Sequence, residues 1–110
     1  MGQKPVIDIL EARYSKEDTG VIDKWYDEVH FPILLRSKYI RSIARYKVMS
    51  GSEEFVRYFI ICKYDSEEDF EAFKASEEFQ EAGKDRPKTR VEEAHSGPPI
   101  HCELVKEWVK

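Results

Sequence analysis

The chain has 110 residues, 41% apolar and 36% charged, the balance of a single folded domain over residues 1–110 with one core rather than a disordered chain. Its formal charge of -4, with acids spread along its whole length, leaves no basic stripe and excludes nucleic acid as the main partner. No apolar run reaches the length of a membrane span, and the opening MGQKPV has no signal-peptide core, so a cytoplasmic protein with no membrane partner is expected.

Residues 5–13, PVIDILEAR, form the first expected strand. The period then changes. Val21, Ile22, Trp25, Val29 and Ile33 recur at helical spacing, with Asp18 and Thr19 supplying capping oxygens in front. Pro32 lacks a backbone donor and restricts Phe31, so this helix should kink or restart near His30. Residues 41–49 and 55–64 flank the polar turn SGSEE and read as a hairpin.

Ser66 opens SEEDFEAF, a capping box with aspartate in its last slot. Phe70, Phe73 and, past a break at Ser76, Phe79 make the apolar side of a second helical region that ends between Gly83 and Ala94. HSGPP is a loop by composition, and residues 100–109, IHCELVKEWV, close the chain as a fourth strand. Cys62 and Cys102 both fall inside expected strands, as reduced thiols would.

The order βαββαβ predicts an α+β, ferredoxin-like fold: a four-stranded antiparallel sheet in the order 4-1-3-2, with right-handed helical crossovers. The first strand then separates the strands of Cys62 and Cys102, so they should not be bridged. Sorting each strand by parity puts Val6, Asp8, Leu10, Ala44, Tyr46, Tyr58, Ile60, Cys62, Cys102 and Lys106 on one face. The other face carries Ile7, Ile9, Ile43, Phe59, Ile61 and Val105 among charges that include Arg45 and Lys63. Two helices cover only one face of such a sheet, and the other is too apolar to leave wet. A homodimer with stacked sheets is expected.

With that order in place, WYDEVHFPILL in the first helix and ARYKV in the next strand resemble the dimeric α+β barrel superfamily, and within it the EthD-like branch. The resemblance in fold order spans nearly the whole chain, and in motif about residues 22–48. It implies a dimer and a pocket between helices and sheet, but no single reaction, since such folds host monooxygenases, isomerases, haem enzymes and effector-binding domains.

Within that pocket His30 shares a helix face with Tyr26 and Leu34, beside Trp25. If the even face lies under the helices, Asp8 points the same way and needs a partner. A contact between Asp8 and His30 would fix the imidazole tautomer and make His30 a general base, with Asp8 as its orienting acid. Tyr26, Tyr46, Tyr58 and Trp25 are the candidate ligand-binding residues, holding a phenolic or enolic oxygen on an otherwise apolar substrate. A competing reading satisfies Asp8 with Lys106 and leaves His30 as a favourable helix-end cation. His30, His95 and His101 lack metal-ligand spacing, and no nucleophile elbow or phosphate loop is present, so neither metal nor cofactor is expected. The three phenylalanines read as plain core.

The expected function is binding of a small apolar or aromatic molecule in a helix–sheet cleft. A cofactor-independent proton transfer or oxygenation through His30 would follow. The alternative is a non-catalytic ligand-binding or stress-associated dimer with a structural His30. Whether the protein is an enzyme stays open at this level.

Overall fold

A computed structural model describes residues 3–51, 55–84 and 98–110. The strands are β1 (Val6–Ser15), β2 (Ser42–Lys47), β3 (Phe55–Tyr64) and β4 (Ile100–Glu103). Between β1 and β2 run α1 (Thr19–Trp25), a π-helical turn (Tyr26–His30) and α2 (Phe31–Leu34); between β3 and β4 lie α3 (Glu67–Lys74) and α4 (Glu77–Ala82). All strand pairs are antiparallel, in the order β2-β3-β1-β4. This is the expected ferredoxin-like sheet.

Each helical segment has a legible cause. Ser66 and Ser76 cap α3 and α4, their Oγ atoms accepting from the backbone N–H groups of Asp69 (3.1 Å) and Phe79 (3.3 Å). Ser76 is therefore the break foreseen between the two. Asp18 precedes α1 but caps nothing with its side chain, which instead accepts from Ser15 Oγ at 2.9 Å. At Pro32 the missing donor is absorbed without ending the helix: the Phe31 N–H reaches back to Tyr26 O, the i→i−5 bond of a π turn, and α2 follows. That turn places His30 at its last position.

Two boundaries moved. The last strand is four residues long instead of ten, with Leu104 adding one more bond to Pro5 O at 2.9 Å. Part of the expected SGSEE turn and of the HSGPP loop lies outside the described residues, as does His95. The helix α4 ends at Ala82, with Gly83 as its C-cap, and residues 85–94 of the expected second helical region lie outside the described residues.

Register overturns part of the parity assignment. In β1 and β3 even residues do share a face, since Asp8 pairs with Cys62 and Leu10 with Ile60. In β2, however, Ile43 pairs with Cys62 and Arg45 with Ile60, so Ile43 and Arg45 lie under the helices while Ala44 and Tyr46 face away. In β4 His101 pairs with Asp8 and Cys102 with Ile7, which inverts that strand too. A shift of one residue in pairing exchanges the faces of a whole strand, and parity counted along the chain cannot see it. Cys62 and Cys102 are free thiols on opposite faces.

The core lies between the helices and the near face, with Val6, Tyr14, Ile22, Tyr26, Tyr58 and Phe73 buried. On the far face a row of apolar side chains crosses all four strands: Ile100, Ile9, Ile61 and Ala44. Phe59 and Tyr46 form a second row beside Glu11, which pairs with Arg57 at 2.9 Å. No described helix is long and apolar enough to cross a membrane.

Candidate functional site

A cleft of about 410 Å³ opens between the helices and the near face of the sheet. The floor is Asp8, Leu10, Ile60, Cys62 and Tyr64; the walls are His30, Phe31 and Leu34 on one side and Phe70, Phe73 and Phe79 on the other. Lys74 and Pro99 complete the rim. The volume and the apolar, aromatic lining suit a small organic ligand. All three phenylalanines expected as plain core thus border the cleft, and Phe79 stays nearly half exposed there.

His30 enters the cleft wall held from behind. Its Nδ1 lies 2.8 Å from the carbonyl oxygen of Ala82, fifty-two residues away at the end of α4. A carbonyl only accepts, so Nδ1 carries the hydrogen, and in the neutral ring Nε2 carries the lone pair. Trp25 stacks on the imidazole with centroids 4.3 Å apart and an interplanar angle of 21°, fixing the ring plane. The indole Nε1 is buried and has no hydrogen-bond partner among the described residues.

The expected contact between Asp8 and His30 does not form. Asp8 Oδ1 instead sits 2.5 Å from Nδ1 of His101, whose Nε2 is 2.6 Å from Glu67 Oε2. Nδ1 of His30 is held by a backbone carbonyl and not by Asp8. Lys106, the other expected partner of Asp8, lies past the end of β4, over the ring of Trp108.

The tyrosines divide. Tyr46 is a correction: it lies on the far face, 58% exposed, and cannot reach the cleft. Tyr58 lies under the helices but packs beneath Arg45, whose guanidinium carbon is 4.0 Å from its ring centroid. Burial, and then the negative charge of Asp23, push its phenol above the usual value. Tyr26 is core; its hydroxyl meets that of Tyr14. Neither Tyr26, Tyr58 nor Trp25 lines the cleft.

Tyr64 was missed: it reaches the floor with Cys62, both protonated because burial pushes the Cys62 thiol up to about 12 and the Tyr64 phenol higher still. Their strand alternation with Asp8 was the available signal. Arg45 was missed for want of register. It is nearly buried, pairs with Asp23, and lies over the rings of Tyr26 and Tyr58, so the arginine of ARYKV is the inward residue and the tyrosine the outward one. Among the described residues no group of three or more His, Cys, Asp or Glu side chains could hold a metal ion.

The architecture has close counterparts among solved structures. An EthD-family protein of Bacillus halodurans C-125 superposes with a TM-score of 0.69 over 94% of this chain and 100% of its own, at 18% identity. The chain has a ferredoxin-like fold. A dimeric ferredoxin-like protein from an uncultured marine organism matches at a TM-score of 0.68 and 16% identity, covering 96% of this chain and all of that one. The haem degrader of Mycobacterium tuberculosis, solved with two haems bound in its active site, matches at 0.67 and 18%, over 94% and 99% of the two chains. At such identities the likeness shows the fold. No protein-family model matches the sequence, and no curated protein matches it.

Proposed function

We propose that this protein binds a small, largely apolar or aromatic molecule in the cleft between helices and sheet, as a homodimer joined through the far faces of its two sheets, and that His30 moves a proton on that molecule. The observation that carries the reading is the position of His30: one wall of an aromatic cleft, with its Nδ1–H tied to the Ala82 carbonyl. A fixed tautomer in an apolar cleft is what general acid–base work needs, since no reorganisation is required when the proton moves. The haem degrader shows a neighbour of the same fold using a site for a large aromatic molecule, and the marine protein shows one that is dimeric.

A second reading also has an observation behind it. The bond from His30 to Ala82 joins two helical regions far apart in sequence, so the same histidine can be a structural tie in a non-catalytic binding protein.

Native mass spectrometry of freshly purified protein would identify a retained ligand, and Nile red fluorescence would report the cleft. Nile red should bind, and His30→Ala should keep dye binding while losing turnover of the retained molecule. Loss of folding and binding together in His30→Ala would favour the structural tie. No dye binding, with Phe73→Trp giving the same null result as the wild type, would end the ligand reading.

A further inference from the structure

The rim of the cleft holds a second histidine that this chemistry does not use. His101 sits on β4, an edge strand joined to β1 over only four residue pairs. Its Nδ1 faces Asp8 on β1 and its Nε2 faces Glu67 on α3, at 2.5 and 2.6 Å. Its ring stacks on Phe70 of α3 with centroids 4.2 Å apart. Asp8 and Phe70 both line the cleft, as does Pro99, two residues before His101. One imidazole therefore ties three elements together at the cleft mouth.

The chemistry of that tie is set by hydrogen count. A carboxylate oxygen only accepts, so each contact needs an N–H on the nitrogen that faces it. Imidazolium has two and neutral imidazole one. We propose that His101 is a proton-operated clasp: doubly protonated, it holds β4 and α3 together across Asp8, and losing one proton it lets Glu67 go and loosens the cleft mouth at Pro99. Glu67 is the partner released because it is more than half exposed, whereas the Asp8 side chain is 14% exposed and has no solvent to replace the bond. The proposal deepens the reading of the cleft as a ligand site and rests on it for its consequence, though not for the clasp itself.

The surrounding groups favour the closed form. The hydrogen bond to Glu67, then that to Asp8, hold the imidazole above its ordinary value against a smaller opposing effect of burial. On β3, Cys62 and Tyr64 keep their protons and add no charge. On α3, Lys74 lies over the Phe70 ring at 4.5 Å but is paired with Glu71 at 3.4 Å. Glu103 on β4, with Lys4 and Glu68, borders the shallow hollow beside Glu67. Because the folded-state value is raised, the clasp contributes fully below the ordinary histidine value of about 6.5 and is lost as pH rises through the raised one.

Side-chain NMR of His101 in the full chain tests the clasp directly. Its titration midpoint should lie above about 6.5 and fall in Glu67→Gln. Amide protection at Cys102 and Leu104, corrected for the intrinsic pH dependence of exchange, should drop through the same midpoint and lose that dependence in His101→Gln. Nile red, which carries no charge of its own, should change affinity roughly fivefold across the midpoint in the wild type and stay flat in His101→Gln. A midpoint at or below about 6.5, an unchanged β4 through the titration, or the same pH response in His101→Gln would each overturn the clasp. Failure of the dye to bind at any pH would instead strike the ligand reading, with the two NMR readouts still deciding the clasp.

Discussion

Replacing Ile9 with lysine should separate the proposed dimer while leaving the fold of each copy intact. Ile9 is central in the apolar row of the far face, flanked by Ile100 on β4 and Ile61 on β3. The four strands have 10, 6, 10 and 4 residues. At a rise of about 3.3 Å and a spacing of about 4.8 Å, they offer about 480 Å² of sheet per copy. Two such faces total about 960 Å², short of the ~1,200–2,000 Å² that stable interfaces bury, so the central side chains must carry much of the affinity.

Burying an isoleucine contributes about 1.5–3 kcal/mol, and a twofold axis counts the change twice. Ile9 is already mostly buried in one copy, so the remaining gain is about 1 kcal/mol per copy and about 2 kcal/mol for the pair, before the repulsion of two apposed lysines is added. The dissociation constant should rise at least about 30-fold. Sedimentation equilibrium should show the 13.0 kDa chain as a dimer in the wild type and mostly as single copies in Ile9→Lys, with unchanged far-ultraviolet circular dichroism. A wild type that stays at 13.0 kDa throughout the micromolar range would refute the argument from the exposed face. So would a variant that dissociates no more readily than the wild type.

Two further expectations concern single side chains. Ser66→Ala removes a buried N-cap and should cost about 1 kcal/mol, a fall of roughly 4–8 °C in melting temperature, as read by calorimetry at fixed protein concentration. Asp18→Ala, which loses no cap, should stay within about 0.5 kcal/mol of the wild type, and equal losses in the two would contradict the capping geometry. With its thiol pushed up to about 12, Cys62 should be thiolate in only about one molecule in ten thousand at pH 8, so mass spectrometry should find it alkylated by iodoacetamide only after unfolding; rapid native labelling would sink this.

Much of the site could be read from local pattern, and its failures share one cause. His30 was legible because Pro32 marks a disturbance in a helix whose apolar stripe is otherwise regular, and the π turn is that disturbance. Asp8 was legible as a near-face acid because β1 alternates cleanly. The partner of Asp8 was not, since it depended on whether residue 101 or 102 of a distant strand lies opposite. Tyr46 and Arg45 exchanged places for the same reason. Phe79, capped into α4 by Ser76, looked like core because its spacing says which residues share a face but not whether a cleft lies beside them.

By itself the sequence determined the order of the elements, the capped starts of α3 and α4, the disturbed helix at His30 and a sheet with apolar residues on both sides. These follow from interactions within a few residues, where backbone sterics, capping oxygens and side-chain period act directly. The tertiary structure alone decided which nitrogen of His30 holds its hydrogen, which histidine meets Asp8, and which member of the Arg45–Tyr46 pair faces inward. Those outcomes turn on strand register and helix docking, where a shift of one residue costs little locally yet carries a side chain to the opposite face of the sheet.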